Sequence, residues 1–334
     1  MARITVVIPT LAADSALTDC LRSLERQSNA DFDVIVVDNS GAGRARPLLP
    51  AGNLARVIEN SRNEGFGAAI NQGIQTSQSS FVATLNDDAI AHPDWIAALL
   101  RSVEKRPEVG LCASQVRLWD TDRVDSAGML IAGDASSKQR GHGQPVQALP
   151  GTGEVLLPSG SAALYRRAML DEIGTFDDEF FLYCEDTDLG LRARWAGWRC
   201  LYVADAVVEH RYSHSAGRAS AVKAYYVERN RLFVAIRNFP LRLLVLAPFV
   251  AIARYAWHVG FLLKGQGKAA EFAEGGGGLK LAWFVLRAHG AALAAFPRLL
   301  SERRRIRSAA KISAAEFTGL LRQHWTTARE VAAH

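Results

Sequence analysis

Two adjacent carboxylates, Asp87 and Asp88, follow the apolar run Phe81–Leu85 after a single asparagine, and that run is typical of a buried strand. A polar turn leading into the next helix accounts for one of these acids, but the second needs another reason. Carboxylate oxygens that leave coordination positions open to water suit Mg²⁺ or Mn²⁺, and such ions bridge the oxygens of a diphosphate. The pair is therefore either a capping turn or part of a metal site for a phosphorylated ligand.

A second acidic group, Glu185, Asp186 and Asp188, opens a predicted helix that ends at Gly197. Acids in the first turn stabilise a helix through its dipole, which is the simplest explanation of the group. Three acids within four positions exceed that need. Because crowded carboxylates raise one another's pKa, the group also suits a general base.

Three further polar positions lie where predicted strands end. Asp38 is either the first residue of an Asx turn or an acceptor for the hydrogen bonds of a nucleobase or ribose. Asn63–Gly67 is neither a GxGxxG fingerprint nor a P-loop, so it is a plain turn or a helix N-terminus that faces phosphate. His210 is either an ordinary surface or core histidine or a metal ligand through an imidazole nitrogen.

The elements that position these residues alternate between strands and helices. The runs that predict strands are Ile4–Ile8, Phe32–Val37, Ala55–Ile58 and Phe81–Leu85, and Leu17, Leu21 and Leu24 predict a helix capped by Asp14 or Ser15. This alternation predicts right-handed βαβ units and a Rossmann-like α/β fold with a mostly parallel sheet flanked by helices. Ligands of such sheets bind beyond the carboxyl ends of the strands, so we expect Asp38, Asn63 and Asp88 to line one crevice.

Residues 108–165 have a less regular pattern. Strand-like runs at Gly110–Leu118 and Val155–Leu157 flank the polar, glycine-rich segment Gly133–Gly143, for which we predict a mobile loop. We expect the residues from about 110 to 180 to shape the substrate pocket.

Composition places the chain among ordinary globular proteins, because 49% of its 334 residues are hydrophobic and 22% are charged. Its four cysteines lack CxxC spacing, which argues against a zinc knuckle or a disulfide framework and suits a reducing cytosol. The first apolar run is too short for a secretory signal, so we expect a cytoplasmic protein. Residues 298–311 hold six basic side chains against one acid, and such a cluster attracts anionic surfaces.

The region after about residue 219 is predicted to be helical, with apolar segments at Leu241–Leu263 and Leu279–Phe296 that the Gly275–Gly278 run separates. The first contains Arg254, and a charge at the middle of a bilayer costs on the order of 2.5–3.5 kcal/mol. Two helices that lie in the membrane interface avoid this cost. We therefore favour interfacial helices over a packed helical dimer or core, and over membrane-spanning helices.

Taken in order, these pieces resemble the family 2 glycosyltransferases, which have a GT-A fold. Within that family the chain is most similar to the rhamnosyltransferase-type enzymes that build bacterial cell-surface polysaccharides. The resemblance spans about residues 3–215 and implies a catalytic domain at 1–218 and a membrane-associating helical region at 219–334. The matching residues are TVVIPT, VIVVDNS, RNEGFGAAINQGI, FVATLNDDAI, SGSAALYRRAMLDEIGTFDDEFFLYCEDTDLGLRARWAGW and VVEHRYSH.

The resemblance implies a role for each matched residue. Asp88 and His210 would coordinate Mg²⁺ or Mn²⁺, Asp186 would be the catalytic base, and Glu185 would lie on the acceptor side. The nucleotide of the donor would contact Pro9, Asp38, Asn63, Gly65 and Asp87. The family motif is often Asp-x-Asp, and the neutral Asn86 at its first position would either weaken the affinity for the metal or shift coordination to Asp88 and His210.

The implied reaction is an inverting transfer of a sugar, best L-rhamnose from dTDP-L-rhamnose, to a glycan or lipid-linked glycan. Other donors, such as a UDP-hexose or UDP-galactofuranose, are the alternative. An inactive membrane scaffold and a dinucleotide-dependent oxidoreductase are the other classes, and the missing GxGxxG after the first strand argues against the oxidoreductase. We expect attachment to the anionic cytoplasmic face of the inner membrane and no nucleic acid partner, and a homo-oligomer stays open.

Overall fold

The computed structural model describes residues 2–49, 55–211, 221–265 and 278–333. They form two units, the first of Met1–Met129, Gln139–Phe181 and Trp198–Ser215, and the second of Leu130–Lys138, Leu182–Gly197 and Ala216–His334. Three features of the sequence analysis lie outside the described residues: the predicted domain boundary at 218, the last three residues of the final matching motif (212–214), and residues 275–277 of the glycine run. The domain boundary stays a prediction.

The first unit is built on one mixed β-sheet. The strands are β1 (Ile4–Thr10), β2 (Phe32–Asp38), β3 (Ala55–Glu59), β4 (Phe81–Leu85), β5 (Ala89–Ala91), β6 (Val109–Leu118), β7 (Val124–Ser126), β10 (Gly153–Glu154), β11 (Ala162–Arg166) and β12 (Arg199–His210). Their spatial order in the sheet is β10-β12-β6-β11-β4-β1-β2-β3, and in addition β5 pairs with β12 and β7 pairs with β6. The strands β3, β2, β1 and β4 are parallel, as predicted, and β11 is antiparallel to both of its neighbours.

The first helix of the first unit buries the apolar face that the sequence pattern predicts. The helices of this unit are α1 (Ser15–Glu25), α2 (Phe66–Thr76), α3 (Trp95–Val103) and α4 (Arg167–Ile173). Leu17, Leu21 and Leu24 of α1 are buried against the sheet core, and the Asp14 carboxylate caps the helix by accepting a hydrogen bond from the Ala16 N–H at 2.9 Å.

Two predictions for the irregular middle of the chain are wrong. Val155–Leu157 is buried but lies outside any strand. The Gly133–Gly143 segment is not a loop throughout, because a two-stranded hairpin of β8 (Met129–Ile131) and β9 (Ser137–Gln139) includes part of it. Asp134 at the tip of this hairpin is fully buried.

The second unit is mostly helical: α5 (Glu185–Trp195), α6 (Ala221–Asn238), α7 (Leu241–Leu263), α8 (Gly278–Ser308), α9 (Ala314–Gln323) and α10 (Ala328–Ala333). A buried ion pair joins α5 to α6, since the Asp188 carboxylate lies 3.3 Å from Arg237 Nε. Asp188 also pairs with Arg192 Nε within α5, at 2.8 Å. Trp195 stacks on Phe317 with ring centroids 3.9 Å apart. The side chains of the four cysteines are buried.

Candidate active site

The turn between β4 and β5 holds the paired acids in different surroundings. Asp87 accepts a hydrogen bond of 2.6 Å from the Thr10 hydroxyl at the end of β1. The Asp88 side chain is nearly buried, and its Oδ1 lies 3.1 Å from Nε2 of His210. Parallel pairing of β1 with β4 brings the ends of these strands together, which is why residues 77 positions apart in sequence meet here.

His210 reaches this turn because β12 runs antiparallel to β5, with His210 opposite Ala89. The backbone N–H of Arg211 donates to the Asp88 carbonyl at 3.1 Å, which fixes the two segments side by side. The structure thus brings Asp88 and His210 together, and the Nδ2 of Asn86 lies 3.1 Å from the same imidazole nitrogen.

The Asp88 and His210 donor atoms fit a divalent cation. Mg²⁺ binds oxygen ligands at about 2.0–2.1 Å in octahedral geometry, which places neighbouring ligand atoms about 3 Å apart. The observed separation of the two donor atoms is 3.1 Å. Within the described ranges no cluster of three or more histidine, cysteine or acidic side chains could hold a metal. These two residues would therefore leave positions for phosphate oxygens and water.

Asp125 is a site residue that the sequence analysis missed. Its Oδ2 lies 2.7 Å from Nδ1 of His210, and its Oδ1 lies 3.2 Å from Nδ1 of His142. Burial opposes protonation of His210, but the hydrogen bonds to Asp125 and Asp88 outweigh it and raise the pKa of His210 to about 10. Burial likewise raises the pKa of Asp125, yet the two histidines bring that pKa below its usual value.

Asp38 has the geometry of an Asx turn, one of its two predicted roles. Its carboxylate is buried and accepts hydrogen bonds of 2.8 Å from the backbone N–H groups of Ser40 and Ala45. Burial raises the pKa of Asp38, but a hydrogen bond from the Ser40 side chain, together with the backbone hydrogen bonds, outweighs burial and lowers it. Pro9 is half-buried in β1 and lies beside Val37 of β2.

Asn63 and Gly65 form the turn before α2. The Asn63 side chain accepts a 2.9 Å hydrogen bond from the Gly65 N–H, and the Phe66 N–H donates to the Phe181 carbonyl at 2.8 Å. Gly65 has a φ of +94°, and a Cβ there would lie 2.5 Å from the Phe181 carbonyl oxygen. Only glycine fits this position.

In the second unit, Asp186 lies in the first turn of α5, after a strained segment. Tyr183 and Cys184 have φ values of +70° and +66°, which residues other than glycine rarely adopt. The Asn230 amide holds this segment by donating to the carbonyls of Leu182 and Tyr183. The Asp186 side chain is half-buried, and its Oδ1 accepts a 2.6 Å hydrogen bond from the Thr187 N–H.

Glu185 differs from Asp186 in its surroundings. It is 6% exposed, and its Oε2 has no hydrogen-bond partner among the described residues. Burial first, and then the negative charge of Asp186, raise the pKa of Glu185 to about 8. Glu185 is therefore largely protonated at neutral pH and is a weak base there.

We expect the stability of the protein to decrease between about pH 4.5 and about pH 8, because the folded state holds a proton on Glu185 that the unfolded state releases. Glu185→Gln mimics the protonated side chain and should remove this part of the pH dependence, worth several kcal/mol. Urea unfolding midpoints at several pH values measure it. Asp171→Asn, an exposed acid on α4, is the matched control and should keep the wild-type slope. If the urea midpoint of Glu185→Gln falls with pH as steeply as that of wild type, Glu185 is not the source of this pH dependence.

The family model described as "Glycosyltransferase like family 2" matches residues 2–234. The chain therefore belongs to glycosyltransferase family 2. It is 28% identical over 259 residues to the N-acetylglucosaminyl-diphospho-decaprenol L-rhamnosyltransferase of Mycobacterium tuberculosis, across 70% of this chain and 84% of that protein. It is also 28% identical over 223 residues to the uncharacterized glycosyltransferase YwdF of Bacillus subtilis, across 66% of this chain and 78% of that protein.

Solved structures confirm the predicted GT-A fold. The mannosyltransferase PcManGT of Pyrobaculum calidifontis, in complex with GDP-Man and Mn²⁺, has a TM-score of 0.54 at 18% identity, covering 92% of this chain and 85% of its own. S. aureus TarS in complex with UDP has a TM-score of 0.52 at 15% identity, covering 97% and 92%. GalNAc-T7 with UDP, GalNAc and Mn²⁺ has a TM-score of 0.58 at 14% identity across 71% of this chain, which spans only 48% of that enzyme.

Proposed function

We propose that this protein is an inverting, divalent-cation-dependent glycosyltransferase that moves L-rhamnose from dTDP-L-rhamnose to a glycan or lipid-linked glycan. Membership of family 2 supports the sugar transfer. The Mycobacterium tuberculosis relative, whose name gives both L-rhamnose and a decaprenol-linked acceptor, supports the finer choice. The proposal rests on one observation: Asp88 Oδ1 and His210 Nε2 lie 3.1 Å apart, at the turn that follows β4.

The proposed roles follow from the surroundings of each residue. Asp88 and His210 would hold Mg²⁺ or Mn²⁺, which would supply positive charge to neutralise a diphosphate. Asp186 accepts the proton of the acceptor hydroxyl, because its carboxylate is half-buried while the neighbouring Glu185 holds a proton. Glu185 contributes to the acceptor side. A single displacement of this kind inverts the anomeric centre and needs no enzymic nucleophile.

The donor nucleotide is proposed to contact Pro9, Asp38, Asn63, Gly65 and Asp87. For Asn63 and Gly65, the proposal is supported by their position just before the N-terminus of α2, where the helix dipole favours phosphate. Donors with UDP or GDP are the alternative, since the structural neighbours are described with UDP and GDP-Man. A thermal-shift screen of dTDP-, UDP- and GDP-sugars with Mn²⁺ tests the choice, because the true donor should raise the melting temperature most.

We further propose that the protein binds the cytoplasmic face of the inner membrane through α7 and α8. Among the described residues, α7 is the one helix that is long and apolar enough to cross a membrane by length and composition. Both helices carry large exposed apolar side chains: Leu241, Leu246, Phe249, Ile252 and Leu263 on α7, and Trp283, Leu286 and Leu293 on α8. Exposed cations flank these residues at Arg242, Lys264, Lys280 and Arg287.

The opposite face of α7 favours an interfacial position over a spanning one. Arg254 is 7% exposed and pairs with Asp134 at 2.6 Å and with Glu228 at 2.9 Å. The Arg329 guanidinium of α10 lies over the Trp257 ring. Because this face packs on charged protein elements, lipid would contact only the apolar face.

The basic cluster at 298–311 contributes less to this surface than its composition suggests. Arg303 donates to the carbonyls of Ile236 and Phe239, and Arg307 donates to that of Asn238. These two side chains therefore cap the C-terminus of α6 instead of facing solvent.

Phe249→Glu combined with Ile252→Glu should reduce binding to vesicles of phosphatidylglycerol and phosphatidylcholine by about tenfold or more, because charges replace exposed apolar contacts. Co-sedimentation measures it, and wild-type binding should weaken at high salt. Leu11→Glu, at an exposed apolar side chain of the first unit, is the control and should sediment like wild type. Equal sedimentation of the double variant, or retention that only detergent reverses, would contradict the interfacial arrangement.

A further inference from the structure

We propose that Asp125 is a positioning residue that orients His210 as a metal ligand, with His142 holding Asp125 in place. This inference rests on the proposed function, since it concerns the cation that Asp88 and His210 would share. Asp125 does not contact the cation itself, because its carboxylate lies on the other side of the imidazole ring, at Nδ1.

A local irregularity of the sheet directs the Asp125 side chain towards His210. Strand β7 pairs antiparallel with β6, but the register shifts between Val116, which faces Ser126, and Arg117, which faces Val124. Asp125 is thus the extra residue of a bulge, and bulges redirect side chains near functional sites. On its other edge β6 pairs with β12, which ends at His210.

The hydrogen bonds of His210 determine which of its two ring nitrogens faces the proposed metal site. The distance of 2.7 Å between Asp125 Oδ2 and Nδ1 means that Nδ1 carries its proton and donates it. Nε2 then faces Asp88 and Asn86. Histidines that bind metals usually donate the other ring N–H to a carboxylate, which sets the tautomer and the orientation of the ring.

Burial and a second histidine restrain Asp125. Its side chain is only 3% exposed, so water does not compete for its oxygens. His142 Nδ1 lies 3.2 Å from Asp125 Oδ1 and 3.0 Å from the Asp125 carbonyl oxygen. Asp125 is thus held at its backbone carbonyl by His142 and at Oδ2 by His210, which restricts rotation of the His210 ring, and such restraint is what a precise ligand geometry requires.

The test compares Mn²⁺ binding by the full-length protein in the presence of dTDP. Titration followed by the electron paramagnetic resonance of free Mn²⁺ gives the Kd, and spin-echo modulation from an imidazole nitrogen reports whether His210 binds the ion. Wild type should show the modulation and His210→Ala should lack it. Asp125→Asn should weaken Mn²⁺ binding about 10- to 100-fold and reduce the modulation. Asp122→Asn, an exposed acid before the same strand, should match wild type.

The inference is overturned if Asp125→Asn keeps the imidazole modulation and a Kd within about twofold of wild type. Should Asp125→Asn fail to fold, Asp125→Ser is judged by the same two readouts, with thermal melting as the check on folding. Failure of the proposed function is a different result, in which wild type binds neither Mn²⁺ nor dTDP. Mn²⁺ binding by wild type without imidazole modulation would overturn the inference and the role of His210 together.

Discussion

Asp88→Ala should abolish the dependence of donor binding on Mg²⁺ or Mn²⁺. The carboxylate of Asp88 is one of the two donor atoms that fit a divalent cation, and alanine leaves His210 alone at the site. Without the cation, the negative charges of a nucleoside diphosphate lose their main counter-charge. In calorimetric titrations, Mn²⁺ should lower the Kd of the wild-type protein for dTDP by about 100-fold or more. It should leave the Kd of the Asp88→Ala variant unchanged.

Two companion variants sharpen this result. Asp171→Ala makes the same charge change on the exposed face of α4 and should behave as wild type. His210→Ala should weaken the site but leave some cation-dependent binding, because Asp88 remains. If Asp88→Ala binds dTDP with unchanged Mn²⁺ dependence, the cation is held elsewhere and the assignment of Asp88 is wrong.

Asp186→Asn should lower kcat by about 10²–10⁴-fold, the usual contribution of general base catalysis, and leave donor affinity within about twofold of wild type. Asparagine preserves the size of the side chain and can still accept the hydrogen bond from the Thr187 N–H, but it cannot take a proton. Donor binding by calorimetry and transfer to a matched acceptor must be measured on the same preparation.

Glu185→Gln separates Asp186 from its neighbour. Since Glu185 is already largely protonated at neutral pH, its replacement by Gln should reduce kcat far less than Asp186→Asn does. Near wild-type transfer by Asp186→Asn would exclude Asp186 as the base and leave Glu185 as the next candidate. Loss of donor binding in Asp186→Asn would instead place this turn at the nucleotide.

Strands in the first 85 residues could be predicted because their signals are local. Buried parallel strands are continuous runs of β-branched residues, as in Ile4–Ile8 and Phe32–Val37, and β1 and β2 include both runs. Right-handed βαβ connections then place the residues after each strand at one edge of the sheet. Asp38 accordingly ends β2, and Asp88 lies in the turn after β4.

Asp125 could not be predicted, because nothing local distinguishes it. Strand β7 has three residues, too few for an alternating pattern, and its position depends on pairing with β6 through a shifted register. The same holds for Asp134, whose burial depends on Arg231 and Arg254, about 100 residues or more along the chain.

Charge counts alone did not reveal which arginines face outwards. The six basic side chains of residues 298–311 predicted an anionic partner. Arg303 and Arg307 instead satisfy carbonyl groups at the end of α6, because those groups lack partners within the helix. Composition records the charge of a side chain, whereas its partners depend on the packing of α8 against α6.

The most direct test of the proposed function is the transfer reaction itself. The purified full-length protein is incubated with dTDP-L-rhamnose, a polyprenyl-diphosphate-linked N-acetylglucosamine in detergent, and Mn²⁺ or Mg²⁺, and the lipid is analysed by mass spectrometry and NMR. We predict a lipid that gains one deoxyhexose, joined with an anomeric configuration opposite to that of the donor, and no product in EDTA or with Asp186→Asn. Retained configuration, product that is unaffected by EDTA, or release of free sugar without any transfer would contradict it.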